Sequence, residues 1–429
     1  MAAVSQMLTV ARAMELIQNR VVPASTEIVR IADAWSRVLA ESISAPHDSP
    51  PFDKSLMDGF AVRTADFVAG DCGLPINGET PDPSRLLRVI ETVTAGCVPQ
   101  LSLGPGTASR IMTGALLPEG ADCVVPIEFT DWDASRPECV RIPASKVSAE
   151  SCLIRKGTAA RAGSLLLSDG TPLRAAQIAA LAEFGIGQVT VRRRPTIGVL
   201  ATGDELLSVD EPLVPGRIRN SNEPMLVAQV HQEDAIPVSL GVARDSIADL
   251  SEKIQQGLKQ DFLLLTGGVS AGALDLVPDQ LAAAGVEKVF HGVQMKPGKP
   301  LWFGVFRSGS HSCYVFGLPG NPVSSLTCFE LFVRTAVRRF LGAPHPVPKP
   351  LPGKLAVPAT VRGSRPIYHP VRTELTAAGL LVTPVPWSGS SDLRATVEAD
   401  GMALMPMEPG EYPAGHPVDV FLWSRTPWQ

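Results

Sequence analysis

The residues best suited to chemistry fall in five short stretches. Thr202 to Leu206 (TGDEL), Asp245, Thr266 to Asp275 (TGGVSAGALD), Lys296 to Pro300 (KPGKP) and Gly317 to Pro322 (GLPGNP) each follow an apolar run of strand length. Gly-rich turns leave backbone N–H groups uncovered, and a helix N-terminus adds a dipole that favours anions. Gly267, Gly268 and Gly272, and Gly320 ahead of a helix opening at Pro322, suit a phosphate in this way. Lys296 and Lys299 add compact positive charge for phosphoryl or oxyanion groups. Asp204, Glu205, Asp245 and Asp275 carry the hard oxygen ligands that Mg2+ takes, often while bridging to phosphate. Taken singly, each glycine reads as a tight turn and each carboxylate as a helix cap or a solvated loop residue. Their clustering outweighs those readings.

Other matches carry less. Gly292 to Gly298 has the wrong spacing for a Walker A loop, and Lys299 precedes Pro300 where Ser or Thr is needed. Gly268-Val269-Ser270-Ala271-Gly272 matches a serine nucleophile elbow. Thr266-Gly267 breaks the strand too early for that, and no His stands in a recognisable triad position, so the string reads as a phosphate-binding turn. Met57 to Val62 (MDGFAV) alone reads as a hairpin turn before a strand, and Ile111 to Val125 (IMTGALLPEGADCVV) as plain β scaffolding. The seven His residues have no ligand spacing.

The elements that would position these residues follow from apolar spacing. Val10, Met14, Ile17 and Val21 predict a helix, and Ile31, Ala34, Trp35, Val38 and Leu39 a second. Short β runs follow at Phe60–Val62, Leu87–Val93, Ala108–Met112, Cys123–Ile127 and Val140–Ile142, separated by turn residues. Ala175 to Phe184 reads as a short helix ended by Gly185. From Thr196 the texture alternates. Strands at 196–201, 236–242, 262–265, 289–293, 301–305 and 313–316 interleave with helices. The helices are capped by Asn222 and by Asp245 or Ser246, with one at 276–284 and a long one from Pro322 to about Phe340. That rhythm predicts a mostly parallel, doubly wound sheet, on which all five stretches lie at one edge, beyond the strand C-termini, where ligands bind. The Pro-rich run Ala343 to Lys354 reads as a stiff linker, and Leu355 onward as a second small β module with no helix pattern. Arg192 to Arg194 reads as a solvated interdomain edge.

Composition sets the outer bounds. A length of 429 residues suggests two to four domains. Hydrophobic residues at 45% and charged residues at 19% exclude a disordered chain. A net charge of −5 argues against a general nucleic-acid surface. No apolar run approaches the roughly 18 residues that span a bilayer, and Met1 to Val10 has no signal-peptide pattern. The seven cysteines are irregularly spaced without CxxC, which reads as free thiols in a reducing cytoplasm.

Seven segments in this order carry a resemblance: SLMDGFAV, IMTGALLPEGADCVV, TIGVLATGDEL, NSNEPML, TGGVSAGALD, MKPGKPLWFG and GLPGNPVS. The chain resembles the molybdopterin molybdenumtransferase (MoeA) family and is similar to the E domain of gephyrin. The resemblance implies a multidomain α/β plus β fold. Its parts are a helical and extended dimerisation region at 1–45 and 147–190, an inserted β domain at 46–146, a doubly wound MogA-like α/β domain at 191–342, and a C-terminal β-barrel at 343–429. It implies a homodimer with composite sites, in which Asp58 and Thr113 come from the partner's β domain. It implies that adenylated molybdopterin and molybdate are the substrates, with Mg2+, and that AMP leaves as molybdenum is inserted. Glu205, Asp245 and Asp275 would serve the metal and the leaving nucleotide, Lys296 and Lys299 the oxyanion, and Pro319 and Pro322 the loop shape. Thr202, Gly203, Asp204, Gly267, Gly268, Ser270, Gly272, Pro297, Gly298, Gly320 and Asn321 complete the expected binding surface. A molybdopterin-adenylating protein and molybdoenzyme recipients are the partners implied. The chain departs from the family pattern at Phe60 (usually Tyr), at Thr266 (usually Ser), and at Thr158-Ala159, where an acidic pair is usual. A non-catalytic scaffold or cofactor-delivery protein, or a tungstate-specific paralogue, stands as the alternative.

Overall fold

The computed structural model describes residues 7–68, 83–269 and 276–423. It divides into two compact units, one of Met1–Glu41, Asp169–Ile178 and Gly187–Gln429, the other of Ser42–Ser168 and Ala179–Ile186. The first helix, α1 (Val10–Arg20), is capped by the Thr9 hydroxyl and buries Ala13, Met14 and Ile17. The helix expected over residues 31–39 is not formed. The chain instead makes strand β1 (Thr26–Arg30) and one 3-10 turn at Ile31–Asp33. Ser36 then takes φ 67°, which no helix accommodates, and Trp35 is exposed. The apolar spacing there serves isolated bridges, Leu39 with Val191 and Val38 with Pro172.

The second unit holds a five-stranded sheet of β2 (Gly59–Val62), β3 (Ser84–Val93), β4 (Thr107–Ile111), β5 (Cys123–Pro126) and β6 (Cys139–Pro143), ordered β5-β2-β4-β3-β6. Its middle is buried on both faces. Phe60, Val62, Cys123 and Val125 pack on one side, and Ala61, Ile111 and Val124 on the other. Asp58-Gly59 is not a hairpin turn. Gly59 opens β2, and a Cβ there would lie 2.0 Å from the Val125 carbonyl oxygen, so close backbone approach demands the glycine. Helix α2 (Ala175–Glu183) ends as expected, with Gly185 at φ 71° returning its N–H to Ala182.

In the first unit β7 (Gln188–Arg192) pairs antiparallel with β1. A six-stranded sheet follows, with α3 (Asn222–Gln232), α4 (Ile247–Gly257) and α5 (Val277–Ala283) between its strands. These strands are β8 (Thr196–Thr202), β9 (Ile236–Ala243), β10 (Phe262–Thr266), β11 (Glu287–His291), β12 (Trp302–Ser308) and β13 (His311–Leu318), in the order β9-β8-β10-β13-β12-β11. The first four run parallel, while β12 is antiparallel to both its neighbours. Side chains from both faces fill two cores, one around Phe262, Phe303, Phe316 and Phe329, the other around Leu200, Leu263, Leu265 and Trp302. The long helix expected from Pro322 to Phe340 is formed, with one π turn inside it. α6 (Pro322–Cys328) and α7 (Arg334–Phe340) flank a π-helical turn at Phe329–Val333. The arginine run is not a solvated edge. Arg193 forks onto Asp261, Arg194 pairs with Asp234 at 2.7 Å, and Arg192 donates to the Ala24 carbonyl. Asp261 is buried, and a buried carboxylate needs that partner.

The C-terminal strands β14 (Leu351–Leu355), β15 (Ile367–Thr376), β16 (Gly379–Pro384), β17 (Gly401–Met405) and β18 (Pro417–Leu422) close a barrel ordered β14-β16-β15-β17-β18. The end of the expected linker is therefore strand: Pro352 lacks an N–H, but the backbone around it still pairs with Asp419 and Leu380. One helical turn, Arg394–Val397, interrupts the β texture.

Candidate active site

Strand register brings the described parts of the five stretches together. Thr202 pairs with Ala243, Ala201 with Thr266, and Thr266 with Leu318, so four parallel strands end at one edge. His291 faces Trp302 and Trp302 faces Gly317, so the loop from β11 to β12, which holds KPGKP, turns at that same edge. β8 is followed by β9 on one side and by β10 on the other, and such a switch point opens a crevice in an α/β sheet.

A cleft of about 500 Å³ lies there, lined among others by Thr202, Gly203, Glu205, Asp245, Gly267, Gly268, Pro319, Gly320 and Asn321. Gly203, Gly267 and Gly268 take φ values of 141°, 96° and 60°. A Cβ on Gly203 would fall 2.3 Å from Glu205 Oε2, because that carboxylate folds back over the turn. Asp204 and Asp245 exchange bonds, each amide donating to the other's carboxylate at 3.2 and 3.3 Å. Ser246, not Asp245, caps α4, accepting from the Asp249 amide. Asp245 thus keeps its place in the cleft lining.

A second hollow of about 240 Å³ adjoins the first, and Pro300, Pro319 and Asn321 line both. Lys296, Pro297, Gly298 and Lys299 line it from the β11–β12 loop, and Arg365, Trp387 and Ser390 from the C-terminal segment. The barrel holds this loop through its backbone: Lys296 N–H donates to Pro366 O, and Tyr368 N–H to Lys296 O, both at 2.8 Å. Lys296 Nζ lies 5.8 Å from the Trp387 ring centroid. Asn321 donates to the Ser390 hydroxyl at 2.9 Å, and Val323 N–H to Ser390 O. The carboxylates and the cations therefore occupy separate but continuous hollows: an acidic one suited to a cation and phosphates, a basic one suited to an oxyanion.

In the other unit Asp58 and Thr113 meet. The Thr113 amide and hydroxyl donate to the same Asp58 oxygen at 2.7 and 2.8 Å, and the amide first, then the hydroxyl, hold the carboxyl below its ordinary pKa. Gly114, at φ 80°, lets the chain turn there. Ser270, Gly272 and Asp275 lie outside the described residues. Asp204 and Pro322 sit on the edge without lining either hollow. Among the described residues no group of three or more His, Cys, Asp or Glu could hold a metal ion.

Sequence reasoning missed Arg365, Trp387 and Ser390, whose stretch carries no signal beyond a Gly-Ser turn. It also misjudged Asn222. That residue begins α3 but does not cap it; its side chain reaches Thr266 and Gly320 instead.

Three descriptions match consecutive parts of the chain: the MoeA N-terminal region (domain I and II) over residues 8–185, a probable molybdopterin binding domain over 198–339, and the MoeA C-terminal region (domain IV) over 352–423. The molybdopterin molybdenumtransferase of Bacillus subtilis (strain 168) is 35% identical, across 94% of this chain and 92% of its own length. The chain belongs to the MoeA family. It is an enzyme of molybdenum cofactor biosynthesis, as its resemblance implied. Another MoeA relative, the molybdopterin molybdenumtransferase of Staphylococcus aureus (strain N315), is 34% identical over 94% of this chain and 92% of its own. The crystal structure of the molybdopterin biosynthesis MoeA protein from Pyrococcus horikoshii OT3 superposes with a TM-score of 0.80, covering 97% of this chain and 100% of its own at 25% identity. No helix among the described residues is long and apolar enough to cross a membrane.

Proposed function

We propose that this MoeA-family chain takes adenylated molybdopterin and molybdate, hydrolyses the phosphoanhydride, releases AMP and leaves molybdenum on the dithiolene. One observation carries the reading: the carboxylate cleft and the lysine hollow share a wall at Pro300, Pro319 and Asn321. A substrate with a pyrophosphate beside an oxyanion needs both chemistries side by side. The Gly268 amide and the Gly320 loop bind phosphate oxygens through backbone N–H groups, whereas the Gly267 N–H already donates to Leu318 O. Lys296 and Lys299, with Arg365 and Ser390 beside them, bind molybdate. Glu205 and Asp245 fit Mg2+ as hard oxygen donors, and with Asp275 they would hold it. When bound, Mg2+ would neutralise charge on the phosphates. Asp58 and Thr113 complete the site from a second copy of the chain, as a homodimer with four regions per subunit. The free thiols at Cys123, Cys313 and Cys328 suit a reducing cytoplasm.

AMP release from adenylated molybdopterin, followed with and without molybdate and Mg2+, tests this. Release that needs both supports it. Wild-type protein that binds molybdopterin yet yields no AMP overturns it in favour of a delivery role.

A further inference from the structure

Three elements meet at the side chain of Asn222. Its Nδ2 donates to the Thr266 hydroxyl oxygen at the end of β10 and to the Gly320 carbonyl ahead of α6, both at 2.7 Å. A carbonyl only accepts, so the Gly320 contact identifies the nitrogen end of the amide. Thr266 extends the link, with its hydroxyl 3.4 Å from Pro319 O and 3.5 Å from Ser325 Oγ, which itself donates to Pro319 O. Asn222, Thr266 and Ser325 are all buried. The backbone beneath is tight at Gly267, and Gly320 packs against it. A Cβ on Gly267 would lie 2.6 Å from Thr202 O, and one on Gly320 would lie 3.6 Å from Gly267 Cα. The other end of the amide, Asn222 Oδ1, is buried without a hydrogen-bond partner among the described residues, in a residue that lines the cleft. Buried amide oxygens are nearly always paired, so this end is open to a partner from the cleft.

We infer that Asn222 is a positioning residue, a latch that fixes the spacing of the Thr266–Gly268 turn and the Pro319–Asn321 loop so that both address one ligand. The inference rests on the proposal that these loops bind the nucleotide end of the substrate. A loose latch misplaces two sets of backbone donors at once, and small misplacements at a site are costly. Asn222 and Thr266 touch the loops and act on the ligand only through them, so the first loss is in binding.

The test uses the full chain with Asn222→Ala, Thr266→Val, the double variant and Thr266→Ser. Three readings are taken: hydrogen exchange in segments 262–269 and 316–325, AMP affinity by calorimetry, and KM against kcat for AMP release. Asn222→Ala and Thr266→Val should each speed exchange in both segments, weaken AMP binding about tenfold and raise KM, with kcat within about threefold. Thr266→Ser retains the hydroxyl and should restore wild-type values. The double variant should be no worse than the worse single, because both cut one link. Unchanged exchange at 316–325, AMP affinity within twofold of wild type, or full additivity overturns the latch. If wild-type protein fails to bind AMP while the variants still loosen both segments, the nucleotide reading fails and the latch stands.

Discussion

Asp245 and Lys296 line adjoining hollows, and their proposed roles separate in kinetics. Asp245→Asn removes a cation ligand and should cut AMP release on the order of 10²-fold, with a smaller loss in binding of adenylated molybdopterin. Lys296→Ala should raise the KM for molybdate about tenfold and spare nucleotide binding. Equal losses in both parameters for both variants would remove the division of labour. Asp58 offers a pH test. Its carboxylate accepts from the Thr113 amide and hydroxyl, and its pKa is depressed. Its contribution to stability is therefore present above the unfolded-state pKa and is lost as pH falls through the lower folded value. The stability gap between wild type and Asp58→Asn, read by denaturant melts, should be open at pH 7 and close in strong acid. A gap that widens on acidification would refute the assignment.

At the scale of elements, the strands were legible where β-branched and apolar residues alternate or run together. Boundaries at Phe60–Val62, Thr196–Ala201 and Phe262–Leu265 came within a residue or two. The failures have local causes. Residues 31–39 have helical spacing, but Ser36 in the left-handed region and the pairing of β1 with β7 override it. Asp58-Gly59 carries the composition of a turn, yet the glycine answers to a neighbouring strand that a local window does not contain. Gly59→Ala should cost about 3 kcal/mol, because the Val125 carbonyl must move; its melts should show this without any change in Asp58 chemistry. Asp261 ties the start of the α/β sheet, accepting from Arg193 and from the Thr196 amide at 2.9 Å. Asp261→Ala leaves the Thr196 amide without its acceptor and Arg193 without its carboxylate, and should cost about 2 kcal/mol, visible as a lower midpoint with unchanged slope.

At the scale of the whole molecule, Asp58 and Lys296 belong to different compact units of the chain. The proposed composite site makes a sharp demand on assembly. Asp58→Ala and Lys296→Ala subunits, each impaired alone at limiting molybdate, should regain about a quarter to a half of wild-type activity when mixed under that condition, because one site per mixed dimer is intact. Mixed dimers that form and stay inactive would place both residues in the same subunit's site. The acidic pair absent at Thr158-Ala159 bears on the same unit. Arg155 is already engaged by Asp53 and Glu150, and Lys156 by Asp48, so these cations have found other carboxylates.

The family, the α/β texture and the five glycine, carboxylate and lysine stretches were written in the chain itself, because turn chemistry and strand periodicity are local properties. That those stretches share one edge followed from the rule for parallel sheets, and the strand register bears it out. Three things were decided only by tertiary structure. The carboxylates and lysines part into two hollows, since the β11–β12 loop is hydrogen-bonded to the barrel at Pro366 and Tyr368. Arg365, Trp387 and Ser390 join the site from the C-terminal segment, far along the chain from the β11–β12 loop. Asn222 stands one residue inside the cap position and turns its amide to Thr266 and Gly320, a buried acceptor pair that no local pattern reveals. Each is a contact between residues far apart in the chain, and side-chain periodicity carries no record of such pairings.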